Sequence, residues 1–107
     1  MGHVYLLCEL SDKEKYKIGV TKREISKRVA ELRTGNANKI IIINSYTSEH
    51  YHKIESWLHR ENSQYKEKEG GTEWFNLPNE VVFSFEARCK DIESKIKLLI
   101  EHNPFYK

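Results

Sequence analysis

Two runs of apolar and aromatic residues open the chain, Val4-Tyr5-Leu6-Leu7-Cys8-Glu9-Leu10 and Tyr16-Lys17-Ile18-Gly19-Val20, with the polar stretch Ser11-Asp12-Lys13-Glu14-Lys15 between them. β-Branched and aromatic residues on both sides of a charged, turn-forming link predict a β-hairpin. Strand side chains alternate between faces, so Tyr5 shares a face with Leu7 and Lys17 shares one with Gly19, while Tyr16, Ile18 and Val20 point the other way. The hairpin therefore offers a phenol near a lysine or a second tyrosine, with a glycine leaving space alongside. Plain cross-strand packing accounts for the same residues.

The period then changes to that of helices. Thr21-Lys22-Arg23-Glu24 has the form of a capping box and predicts a helix over 22–34, stopped by Gly35 in the left-handed conformation. Its apolar positions Ile25, Val29 and Leu32 fall at i, i+4 and i+7, which puts Arg28 on or beside the buried stripe. After the loop 35–38, the run 39–46 contains four consecutive isoleucines, Ile40 to Ile43; a segment apolar on both faces predicts the central strand of a sheet. Thr47 or Ser48 caps a second helix over about 49–61 with the stripe Tyr51, Ile54, Leu58 and Trp57 adjoining. Glu55 lies at the edge of that stripe. Residues 63–71 are polar, end in Gly70-Gly71 and read as a mobile loop. Residues 72–77 form a short strand or an extended anchor that docks Trp74 or Phe75. Pro78 and Asn79 open a last helix over about 80–101. Its apolar residues Val82, Phe85, Cys89, Ile92, Ile96 and Leu99 make a heptad-like seam, suited to packing on the sheet or to a homodimer or protein partner. The order predicts a small α+β domain: a mainly antiparallel three-stranded sheet flanked by helices, with a long C-terminal helix.

Composition narrows the class without naming the function. A chain of 107 residues is one domain, so any activity sits on this single scaffold. A net charge of +2 among 32% charged residues permits nucleic acid through a local basic face but gives no polybasic signature. Cys8 and Cys89 lie in apolar patterns and are expected to be reduced and buried rather than bridged. No apolar run approaches the ~20 residues of a membrane span and no signal peptide is recognisable, so a soluble, cytoplasmic protein is expected.

Taken together, the residues resemble the GIY-YIG nuclease superfamily. Its two tripeptides correspond to His3-Val4-Tyr5 and Lys17-Ile18-Gly19, the latter preceded by Tyr16, while Arg28 and Glu55 stand at the helical positions. Tyr-Lys-Ile-Gly, then Glu55-x-x-x-His59, then Glu73-Trp74-Phe75, is similar to a small branch common in phages and bacteria. The resemblance spans 3–77 and leaves the final helix outside. His3 replaces the usual glycine, Lys17 the usual tyrosine, and Leu32 stands where histidine is frequent; Asn76 matches the superfamily's late asparagine only loosely.

The resemblance implies a metal-dependent endonuclease that hydrolyses DNA phosphodiesters. Such chemistry needs a base for water, positive charge on the phosphate and a metal or acid for the leaving oxygen. Tyr5 would be the base or would orient the water, with Lys17 supplying a nearby cation. Arg28 would clamp the phosphate, for which a guanidinium is well shaped; the alternative is an arginine paired with Glu24 or Glu31. Glu55 would be the one protein carboxylate on Mg²⁺ or Mn²⁺, the remaining ligands being water and phosphate oxygens. His59 is a phosphate contact or proton donor, and Tyr16 a second phenol or a packed strand residue. His52, Glu55 and His59 also have transition-metal spacing, but no fourth zinc ligand is evident. Lys22, Arg23, Lys27, Lys66 and Lys68 are candidate DNA-phosphate contacts, whereas Trp57, Trp74 and Phe75 read as core before they read as base-stacking platforms. A catalytically silent nucleic-acid-binding module, or an interaction domain dimerising through the Val82 to Leu99 seam, are the competing readings.

Overall fold

A computed structural model describes residues 1–10, 15–34, 39–67 and 74–106. The hairpin turn, the Gly35 stop, Lys68, the Gly70-Gly71 pair and Glu73 lie outside the described residues.

The opening hairpin forms, and its register decides which residues of the second strand share a face with Tyr5. Strand β1 (Gly2–Leu10) pairs antiparallel with β2 (Lys15–Thr21), setting Tyr5 opposite Gly19, Leu7 opposite Lys17 and Cys8 opposite Tyr16. Directly opposed residues share a face, so Tyr5, Leu7, Lys17 and Gly19 lie on one side of the sheet and Val4, Leu6, Tyr16 and Ile18 on the other.

The chain continues through α1 (Ile25–Thr34), β3 (Lys39–Ser48), α2 (Tyr51–Glu61), a 3₁₀ turn (Ser63–Tyr65), β4 (Trp74–Phe75), α3 (Asn79–Phe83) and α4 (Phe85–His102). The sheet has four strands in the order β3-β1-β2-β4, all antiparallel, the fourth being the two-residue β4. The expected α+β architecture with a long C-terminal helix is therefore present, with one strand more than expected. Helix α1 covers one face, over a small core of Tyr5, Leu7, Val29 and Ile40. Helices α2, α3 and α4 cover the other, over the main core that includes Val4, Leu6, Ile18, Ile54, Phe75 and Ile92.

Three expectations are corrected. The isoleucine strand β3 is an edge strand, and Ile42 and Ile43 are 44% and 38% exposed. The strand buried on both faces is β1, whose Val4 to Leu7 are at most 2% exposed. A register shift accompanies this: Leu6 pairs with Asn44 and Leu7 with Ile42, leaving Ile43 as the extra residue of a bulge. Helix α1 begins at Ile25, three residues later than the capping box implied, because the Thr21 hydroxyl accepts from the Arg23 amide at 3.1 Å and the first helical amides bond to the Glu24 carbonyl. The C-terminal helix is interrupted at Ser84, whose hydroxyl donates to the Glu80 carbonyl at 2.7 Å, a local bond that competes with the helical ladder.

The C-terminal seam is buried within the chain itself: Val82, Phe85, Cys89, Ile92 and Ile96 all enter the main core. Strand β3 is tied to α4 by Glu93, which accepts from the Tyr46 hydroxyl at 2.8 Å and from the Ser48 hydroxyl. Both cysteines are free and buried, as expected. No helix among the described residues is long and apolar enough to cross a membrane.

Candidate active site

The α1 face of the hairpin carries the polar chemistry. Tyr5 is 2% exposed, and its ring lies flat across Gly19 on the neighbouring strand. A Cβ at position 19 would fall 2.4 Å from the Tyr5 hydroxyl oxygen and 2.5 Å from Cζ, so only glycine admits this crossing. The crossing brings the hydroxyl to Arg28, three residues into α1. There the hydroxyl interacts with the Arg28 guanidinium, which is raised above its ordinary pKa with Tyr5 as the largest cause. Arg28 also donates to Glu31 at 3.2 Å, and Glu31 pairs with both guanidinium nitrogens of Arg23. The Arg28 side chain is 32% exposed.

Lys17 lies two residues along β2 on the same face. Its side chain is almost wholly buried, with the ammonium 5.4 Å from the centre of the Trp74 ring, its directly paired neighbour on β4. Tyr16 lies on the opposite face in the main core, opposite Cys8 and Phe75. It does not share a face with Tyr5.

Glu55 comes from the other layer. Two contacts fix the path of α2 along β2: the Tyr51 ring packs on Gly2, and His59 Nε2 donates to the Ile18 carbonyl at 2.8 Å while its ring meets Phe75 edge-on at 5.0 Å. Tyr51 to His59 spans about 12 Å of helix, close to the roughly 13 Å of β2 between Ile18 and the level of Gly2. Glu55 lies midway between these two anchors and is half-buried, on the layer that covers the opposite face of the sheet from Tyr5 and Arg28.

The donor set suits one kind of metal. Among the described residues no group of three His, Cys, Asp or Glu could hold an ion, so the zinc arrangement of His52, Glu55 and His59 has no support. One carboxylate with water and phosphate oxygens completing the shell is what magnesium tolerates.

A family model for the T5orf172 domain matches residues 2–96. The chain belongs to the T5orf172 domain family. The match begins in β1 and ends within α4, so the family's pattern takes in the helices under the main core as well as the hairpin. No curated protein and no solved structure matches the chain.

Around the site of this T5orf172 domain, Lys22 and Lys27 are exposed on and before α1, and Lys66 is exposed beyond α2. Arg23 is engaged by Glu31, which leaves it less charge to offer a phosphate. Sequence reasoning did not anticipate that Trp74 stands on the site face. Strand parity carried that signal: Trp74 and Phe75 are adjacent in a strand, so only one of them can enter the main core, and Phe75 does.

Proposed function

We propose that this T5orf172 domain is a metal-dependent endonuclease that hydrolyses DNA phosphodiester bonds with a GIY-YIG-type site. The observation that carries the reading is a buried tyrosine whose ring crosses the neighbouring strand at Gly19, its hydroxyl the largest influence on the Arg28 guanidinium. A phenol and a guanidinium held together on rigid elements, with the arginine side chain partly exposed, suit an anionic substrate and a water that must lose a proton.

In this reading Arg28 takes the scissile phosphate, matching its donors to two phosphate oxygens. Tyr5 orients the attacking water and, in its ionised form, takes the water's proton to become the neutral phenol, the negative charge it gives up having been balanced by the neighbouring Arg28 guanidinium. Lys17 adds a second positive charge behind the phosphate. Glu55 holds Mg²⁺ or Mn²⁺, which when bound supplies charge to the phosphate and the leaving oxygen. His59 acts as a positioning residue, because its bond to Ile18 fixes α2 and hence Glu55 against β2. Lys22 and Lys27 add sequence-independent phosphate contacts.

The test is nicking of supercoiled DNA in a series of divalent metals. The parent is expected to cut with Mg²⁺ or Mn²⁺, and Arg28→Ala or Glu55→Ala to lower the rate by about 10²–10³ while the melting curve is retained. Glu55→Ala preparations that cut as well as the parent would overturn the reading.

A further inference from the structure

We propose that Trp74 is a stacking platform for one unpaired nucleobase beside the scissile phosphate, so that the preferred substrate is DNA carrying an extrahelical or unpaired nucleotide at the cut, not continuous duplex. This rests on the nuclease reading above and adds the substrate class to it.

Three observations converge. Phe75 is fully buried in the main core, whereas its neighbour Trp74 points to the opposite face, is half-buried and packs into neither core cluster. The outer edge of β4 is paired with residues 65–67, the Glu67 amide donating to the Trp74 carbonyl at 2.8 Å, so what the indole offers is its partly exposed side on the site face. Secondly, the Lys17 ammonium lies 5.4 Å from the ring centre. That contact holds the indole in one orientation and sets a buried positive charge beside it. Thirdly, the register fixes the distance to the chemistry. Lys17 and Trp74 are directly paired and Gly19 is two residues further along β2, with the Tyr5 hydroxyl above it. One strand spacing and two residues of rise put the indole about 8 Å from the phenol. That is the reach of a single nucleotide, from the phosphate at Tyr5 and Arg28 to its own base at Trp74. Bases within a duplex are stacked inside it, so a base can meet this ring only after leaving the stack. A nucleotide that is already unpaired arrives without that cost.

The experiment compares a matched duplex with the same duplex carrying one unpaired 2-aminopurine, bound by the full chain in Ca²⁺ and cleaved in Mg²⁺. The parent is expected to bind the bulged DNA about tenfold more tightly, as one base–aromatic stack allows, to quench the 2-aminopurine fluorescence and to cut next to it. Trp74→Leu should bring the bulged DNA down to the affinity of the matched duplex and abolish the quench, and Trp74→Phe should retain most of both. Equal binding and cutting of the two DNAs by the parent overturns this proposal and leaves the nuclease reading standing. So does a quench that survives in Trp74→Leu. Failure to bind or cut either DNA overturns both. Should Trp74→Leu not fold, the parent's preference and the Trp74→Phe variant decide the matter.

Discussion

Replacing Gly19 with alanine isolates the contact on which the site is built. The new Cβ would lie 2.4, 2.5 and 2.8 Å from Oη, Cζ and Cε1 of Tyr5, all well inside van der Waals distance. The ring has little room to retreat, since Tyr5 is 2% exposed, packs with Leu7, Val29 and Ile40, and has its oxygen held by Arg28. Overpacking of this kind costs about 1–3 kcal/mol. Alanine recovers roughly 0.5–1 kcal/mol, because a strand glycine loses more chain entropy on folding, and the backbone at Gly19 is not in the left-handed region that would penalise a side chain. The net loss should be about 1–2 kcal/mol. For a chain of this length that is roughly 5–10 °C in melting temperature. Thermal denaturation of four proteins tests it: the parent, Gly19→Ala, Tyr5→Leu and the double variant. Without the ring the methyl group has nothing to strike, so Gly19→Ala should be nearly neutral in the Tyr5→Leu background and the pair strongly non-additive. A Gly19→Ala protein that melts within 1 °C of the parent, or the same penalty in both backgrounds, would refute the crossing.

Glu93 is held below its ordinary pKa: burial acts to raise it, but the bonds from Ser48 and Tyr46 and the charges of Lys97 and His50 outweigh that. A depressed folded pKa contributes stability that is complete above the ordinary value of 4.5 and lost as pH falls through the folded value, so Glu93→Gln should be less stable than the parent at pH 7, with the gap in urea midpoint narrowing as the pH is taken below 4.5. His59→Ala removes the bond to Ile18 and the edge contact with Phe75, for an expected loss of about 1–3 kcal/mol by urea denaturation; His59→Phe should recover only the ring's share. Lys17→Met keeps the buried stem and discards the charge, so stability should change by less than about 1.5 kcal/mol while DNA cleavage falls at least tenfold; an unchanged rate would remove Lys17 from the site.

How far the sequence reveals this arrangement depends on whether the deciding interaction is local. The alternation of the first twenty residues separates Lys17 and Gly19 from Tyr16 but leaves open which set joins Tyr5, because cross-strand register is not local; the observed pairing puts Gly19 opposite Tyr5. The stripe of α1 puts Arg28 at the core edge, where it meets Tyr5. Strand order is a tertiary property, and a run of isoleucines does not distinguish a strand covered by helices from one flanked by other strands; hence β3 reads as central and lies at the edge. The start of α1 turns on a competition between two acceptors, the Thr21 hydroxyl and the Glu24 carbonyl, that composition leaves open. Spacing alone gives Glu55 no layer, since only the contacts of Tyr51 and His59 decide on which side of the sheet α2 runs.

On the GIY-YIG reading proposed above, strand β2 explains how altered tripeptides coexist with the fold. Its odd residues, Lys17 and Gly19, face α1 and the site, while its even residues, Tyr16 and Ile18, face the main core beneath α2 and α4. Period-two alternation thus divides one short strand into two sets of constraints that do not interfere. A change at position 17 from phenol to ammonium alters the electrostatics of the site and needs only a neighbour that can cover a charged side chain, which Trp74 supplies. The core on the far side does not register the exchange. Position 19 differs, because there the site's requirement is for the absence of a side chain: any residue would displace the ring that reaches Arg28. The tripeptide can therefore vary at its first position and keep its last, and the chemistry open to the domain follows from what occupies position 17.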